Sequence, residues 1–129
     1  MARTKSKHPT ALELELLNVL WESSPLTVRE VRERLEAVGR KLAHTSLITT
    51  LNLMLDKGFV DRTEAGRGYA FAPAISRDAV SSGMVGDLVE KMFGGSAQAF
   101  LLSVLGNQKL SSSEREELKA LIEESKGNS

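Results

Sequence analysis

The stretch Leu42–Pro73, LAHTSLITTLNLMLDKGFVDRTEAGRGYAFAP, carries two different periodicities in succession. Over Thr45–Lys57, Leu47, Leu51, Met54 and Leu55 recur at the three- and four-residue spacing of one helix face. The other face holds Thr45, Ser46, Thr49 and Asn52, with Ile48 and Leu53 at its borders. Solvated helix faces are usually rich in Glu and Lys, and threonine is a poor helix former. An outward face of short, uncharged polar side chains therefore points to a partner. Gly58 closes this helix. Phe59–Thr63 then reads as a strand, Glu64–Gly68 as a glycine-bearing turn, and Tyr69–Ala72 as a returning strand ending at Pro73.

Upstream lie two helices with legible starts. Thr10 and Glu13 form a capping box, in which hydroxyl and carboxylate each satisfy the other's backbone N–H. Leu12, Leu16, Val19 and Leu20 mark the apolar face that follows, and Ser23-Ser24-Pro25 ends it. Thr27 and Glu30 make a second box before the stripe Val28, Val31 and Leu35, with Gly39 as terminator. Three short helices followed by a hairpin is the order of a winged helix-turn-helix. The expected fold is mainly α with a small β-hairpin wing, the winged domain covering 10–74.

Beyond the hairpin only helical signals remain. Val80, Met84, Leu88 and Met92 run at four-residue spacing over 76–93, with Val85, Val89 and Phe93 beside them. Gly94-Gly95 breaks the run, and Ser96 can cap a short apolar helix, Ala97–Leu105, containing Phe100 and Leu101. Gly106-Asn107 reads as another break. Ser111–Glu116 offers two overlapping capping boxes ahead of Leu118, Leu121 and Ile122. These helices are too short and too one-sided to bury themselves, so 75–129 is expected to be a helical dimerisation region. Its seam would be drawn from Val80, Met84, Val85, Leu88, Met92, Phe93, Phe100, Leu101, Leu118, Leu121 and Ile122. Residues 1–9, with Arg3, Lys5 and Lys7, are expected to form a flexible basic arm.

Composition narrows the function classes. The chain has 129 residues and no cysteine, which excludes disulfides, thiolate metal sites and a thiol nucleophile. The basic N-terminus is followed by no apolar run, and charges interrupt every apolar segment well short of the ~20 residues that span a bilayer. A cytoplasmic protein is expected. Net charge is zero, but residues 1–73 carry 11 Lys+Arg against 9 Asp+Glu, whereas 74–129 carry 6 against 8. The only two histidines, His8 and His44, are too far apart to suggest a metal site. The serine clusters have no His or Lys at a productive spacing, and no Lys-Ser/Thr follows Gly66 and Gly68, so neither enzyme nor cofactor is expected.

Three stretches, Leu12–Trp21 (LELELLNVLW), Thr27–Leu35 (TVREVRERL) and Leu42–Pro73, together resemble the penicillinase-repressor and methicillin-resistance-repressor family of winged-helix regulators. The tail resembles it too: an apolar helix ending in Phe-Gly-Gly, a short helix, then Leu-Ser and a Glu-rich helix. The resemblance implies a bacterial transcriptional repressor, homodimeric on a palindromic DNA operator. It also implies release by a membrane-bound metalloprotease sensor, or its downstream protease, through cleavage in the tail. Where the best-known relatives are cut at an Asn-Phe bond, this chain has Ser103-Val104. It also has Leu53 where members often carry Arg in the recognition helix, and without cysteine it departs from the copper-responsive branch.

In a helix-turn-helix the N-terminal part of the recognition helix meets base edges. Thr45, Ser46 and Thr49 are then the expected base-reading residues, since a hydroxyl donates or accepts and a threonine methyl packs on thymine. Asn52 lies one turn further along, within reach of a base or a phosphate. Arg40, Lys41, His44, Arg62 and Arg67 are the expected phosphate contacts, with Arg67 at the wing tip. Two alternatives stand beside this. Thr45 and Ser46 could simply cap their helix, and a winged helix could be a protein–protein interaction module without DNA binding.

Overall fold

The computed structural model describes residues 8–127, which divide into two compact units, one running through Val85 and the other starting at Gly86. The first unit contains α1 (Ala11–Glu22), β1 (Leu26–Thr27), α2 (Val28–Ala37), α3 (His44–Lys57), β2 (Val60–Ala65) and β3 (Gly68–Pro73). Helix α4 (Arg77–Phe93) runs from it into the second unit, which continues with α5 (Ala97–Asn107) and α6 (Ser112–Gly127).

Both expected capping boxes form. Thr10 Oγ1 accepts from the Glu13 N–H at 3.2 Å while Glu13 Oε1 accepts from the Thr10 N–H at 2.8 Å, and Thr27 and Glu30 repeat the arrangement for α2. The apolar stripes they launch meet in one core. Leu16, Leu17 and Leu20 from α1 pack with Val31 and Leu35 from α2, Leu47, Leu51 and Met54 from α3, and Phe59, Val60 and Phe71 around the hairpin. Leu12 and Val19, expected on the buried face of α1, are only half-buried, and Leu17 takes a core position instead.

The hairpin is joined by a third strand that the sequence reading missed. β1 pairs antiparallel with β3 through Leu26–Phe71 and Thr27–Ala70, giving the strand order β1-β3-β2. Two residues are too short a run to show alternation. Thr27 serves both elements, its backbone in the sheet and its hydroxyl on the first turn of α2.

Glu13 is buried as well as capping, at 2% exposed. Its second oxygen, Oε2, accepts from Lys57 Nζ at 2.9 Å, which ties the first turn of α1 to the last turn of α3. Trp21 is partly buried against the core, and its Nε1–H donates to the Ile75 carbonyl at 2.9 Å. The Arg77 guanidinium lies 5.1 Å from the Trp21 ring centroid, so the start of α4 is fastened to the end of α1.

In the second unit, Gly94 and Gly95 turn the chain with φ of 58° and 85°, and the rings of Phe93 and Phe100 meet edge-on at 5.7 Å. Ser96 caps α5, and Ser111 with Glu114 forms the first of the two overlapping boxes before α6. α5 runs two residues past its expected end at Leu105, through the expected break at Gly106-Asn107, with the Asn107 amide donating back to the Ser103 carbonyl at 2.7 Å. None of residues 86–125 is buried. Val80 is the exception to the expected dimer seam: at 5% exposed it is already buried within the chain and offers nothing to a partner. Among the described residues no helix is long and apolar enough to cross a membrane. Of the expected basic arm, Pro9 is buried and His8 half-buried, while 1–7 lie outside the described residues.

Removing the ammonium from Lys57 strands a buried carboxylate. Lys57→Met should lower stability by about 1–3 kcal/mol, seen as a lower Tm at fixed protein concentration. Adding Glu13→Gln should recover part of that loss, because the orphaned charge is gone. A single variant as stable as the parent would show that the pair contributes nothing.

Candidate nucleic-acid interface

α3 starts differently from its neighbours. Its N-cap is Ala43, extended at φ −68° and ψ 146°, and no side chain accepts from the first-turn N–H groups. That overturns the capping alternative for Thr45 and Ser46. Both lie inside the first turn, exposed, and the Thr50 hydroxyl donates to the Ser46 carbonyl at 2.7 Å. α1 and α2 each place a Glu in the first turn, whereas α3 has no acidic residue there. The positive end of its dipole is left open to an anion.

Thr49 and Asn52 continue the same exposed face, and Leu53 beside them is exposed as well. Asn52 is engaged by the wing: Arg62 Nη1 donates to its Oδ1 at 3.2 Å. The Arg62 guanidinium also lies 4.1 Å from the centroid of the Tyr69 ring. The hairpin register explains the contact. Arg62 pairs with Phe71 and Glu64 with Tyr69, so Arg62 and Tyr69 sit diagonally on one face of the sheet. The wing turns through Gly66 and Arg67. Gly66 takes φ 61°, and Arg67 is exposed at the tip.

A cleft of about 660 Å³ opens beside Asn52, Arg62 and Tyr69, walled by the first turn of α2, α3 and the wing, while Thr49, Leu53 and Arg67 lie outside its lining. His44, Ile48, Asn52, Arg62 and Tyr69 line it, together with Arg29. Lys41 is exposed in the loop ahead of α3. Arg40 is placed otherwise. It is turned back onto α1, where Glu15 accepts from it at 2.8 and 3.3 Å and raises its pKa above the ordinary arginine value. At the other wall, the Thr27 backbone N–H and then its hydroxyl hold the Glu30 carboxyl below the usual carboxylate range, with Arg34 and Arg29 adding to the effect.

Tyr69 and Arg29 were not singled out from sequence. Tyr69 looked like any strand aromatic, and its signal lay only in the two-residue offset from Arg62 across the turn. Arg29 carries no such signal on its helix, where it meets Glu33 at 3.4 Å, both largely in solvent.

The expected seam residues other than Val80 lie along α4, α5 and α6. Val85, Leu88, Met92, Leu101, Leu118, Leu121 and Ile122 are exposed, while Met84, Phe93 and Phe100 are half-buried. Ser103 and Val104 lie in the middle of α5 with helical backbone.

The model of the penicillinase repressor family matches residues 9–124. The chain belongs to that family. The match runs across both units, so the winged part and the helical tail belong to one family pattern. Among relatives, the transcriptional regulator BlaI of Mycobacterium tuberculosis is 36% identical over 93 residues, covering 70% of this chain and 67% of that protein. The penicillinase repressor of Bacillus licheniformis is 26% identical over 114 residues, 88% of each chain. Among solved structures, RosR of H. salinarum shares the fold, with a TM-score of 0.52 at 18% identity over 97% of this chain and 100% of that one.

In this family member the wing tip depends on one backbone angle. A Cβ at Gly66 would meet nothing within 4 Å, so only its positive φ resists substitution. Gly66→Ala should therefore cost about 1–3 kcal/mol in urea denaturation through backbone strain alone. Stability equal to the parent would mean that the turn relaxes freely.

Proposed function

We propose that this penicillinase-repressor-family chain is a sequence-specific DNA-binding transcriptional repressor, acting as a cytoplasmic homodimer on a palindromic operator. The observation that carries the reading is the outer face of α3: exposed Thr45, Ser46, Thr49 and Asn52, an uncapped N-terminus, and the wing arginines alongside. The names of its relatives, a transcriptional regulator and a penicillinase repressor, support the same assignment.

On this reading α3 enters the major groove. Thr45, Ser46 and Thr49 meet base edges, and the open N–H groups of the first turn receive a phosphate. Lys41, His44, Arg62 and Arg67 hold the flanking backbone. Arg40 joins them only by giving up Glu15, so its contribution is the smallest of the set. The second unit supplies the dimer. A second copy buries its exposed apolar side chains, Leu88, Met92 and Leu121 among them, while setting two recognition helices at half-sites near multiples of ~34 Å.

We extend the reading to release by proteolysis, which the family resemblance implies, with a membrane-bound metalloprotease sensor or its downstream protease as partner and the Ser103-Val104 bond as the matched position. A helical bond must unwind to enter a protease. In α5, where no residue is buried, such local opening costs little.

The full chain, titrated onto duplexes from its own promoter region, should bind one of them selectively, with affinity falling steeply as salt rises. A folded chain that selects no duplex even at low salt would sink the repressor reading. Thr49→Ala should narrow the gap between selected and scrambled duplex by about 1–3 kcal/mol for the lost base contact. Unchanged discrimination would remove Thr49 from the reading face. For the dimer, Leu121→Lys at a site 58% exposed should leave the first unit folded and halve the mass by light scattering. A persistent dimer would place the seam elsewhere.

A further inference from the structure

Resting on that DNA-binding reading, we propose that Tyr69 is a positioning residue: it holds Arg62 in the pose from which the wing grips the DNA backbone beside α3. Tyr69 is 42% exposed, a large ring left half in solvent, and its face is stacked against Arg62. A guanidinium 4.1 Å from the ring centroid is within the range where the π face attracts a cation. Arg62 then spends one N–H on Asn52 Oδ1 at 3.2 Å and keeps its others for an incoming acceptor.

The arrangement fixes more than Arg62. Arginine has no acceptor, so the Asn52 atom facing it must be the carbonyl oxygen, and the amide –NH₂ is turned to the open side. Bidentate reading of adenine needs both the oxygen and the –NH₂ of an asparagine. While Arg62 is held by Tyr69, one of the two lone pairs on the Asn52 oxygen is already taken, and the –NH₂ is left as its donor toward a base. Tyr69 thus acts on DNA at second hand, through Arg62 and then Asn52. It also locks the wing to the recognition helix at the cleft where α2, α3 and β3 converge.

The ring face, and not the hydroxyl, does this, which gives a clean test. Let the full-length chain select a duplex from a random-sequence pool, then measure Tyr69→Phe, Tyr69→Leu, Arg62→Ala and the double variant Arg62→Ala/Tyr69→Leu on that duplex across a salt series. Tyr69→Phe should bind like the parent. Tyr69→Leu should weaken binding roughly two- to fivefold, the loss of one exposed cation–π contact. Arg62→Ala should weaken it at least as much and flatten the salt dependence by roughly one charge per half-site. In the Arg62→Ala background, Tyr69→Leu should cost nothing further, whereas a merely structural role would persist there and lower Tm. An equal loss from Tyr69→Leu in both backgrounds overturns the proposal, as does a Tyr69→Phe loss, which would place the hydroxyl itself on DNA. Parent-like binding by Tyr69→Leu overturns this role and leaves the repressor reading intact. A parent chain that selects no duplex overturns both.

Discussion

Burial of Leu47, Leu51 and Met54 sets the rotation of α3, and the outward chemistry of the first unit follows from that rotation. All three are fully buried. Thr45, Thr49 and Asn52 are the same stripe displaced by two residues, which at 3.6 residues per turn lies about 200° round the helix. They cannot turn inward unless the leucines and methionine turn outward. Fully burying each of these side chains is worth roughly 1.5–3 kcal/mol, and the exchange would also bury hydroxyls and an amide without partners. The polar face is therefore held outward by the core behind it.

The two ends of α3 are treated in opposite ways. At the C-terminus Gly58 takes the left-handed conformation, the Phe59 N–H bonds the Met54 carbonyl at 2.8 Å, and Lys57 locks onto buried Glu13. At the N-terminus there is no capping side chain and no acidic residue. α1 and α2 carry capping boxes, so the neighbouring helices take the more stable option that α3 lacks. Uncapped N–H groups in an exposed first turn are a local cost without a structural return. That pattern is expected where a ligand completes the helix. The wing reaches the same helix from outside through Arg62 and Asn52, so both partners of the cleft are placed before any ligand arrives.

What could be read from sequence were features whose partners lie within a few residues. The capping boxes at Thr10, Thr27 and Ser111, the Ser96 cap and the buried stripe of α3 all appear where the residues place them. The glycine turn of the wing was legible for the same reason. What escaped were contacts made across the fold. Glu13 with Lys57 and Arg40 with Glu15 join residues that no local periodicity relates, and β1 exists only because β3 lies beside it. The capping alternative for Thr45 and Ser46 arose because hydroxyls near a helix start usually cap it. Here the helix begins earlier, at His44, and carries them inside the first turn. Val80 shows the limit of a stripe. It belongs to the apolar series of α4, yet burial within the chain removes it from the surface that the series was read to supply.

The second unit carries a different constraint. Ordering a residue costs on the order of 1–2 kcal/mol of backbone entropy, and a helical segment recovers this mainly by burying an apolar face. Between Gly86 and Ser125 no side chain is buried, while Met92 at 70% and Leu121 at 58% exposure stand open. In the proposed dimer the second copy provides the missing burial, so order in the tail and association become one equilibrium. Linking two winged units in turn makes the second half-site encounter intramolecular, with an effective concentration far above that of free protein. Any event that loosens α5 or α6 then acts on DNA without touching α3. It lowers the population of dimer, and the affinity of each winged unit alone is what remains.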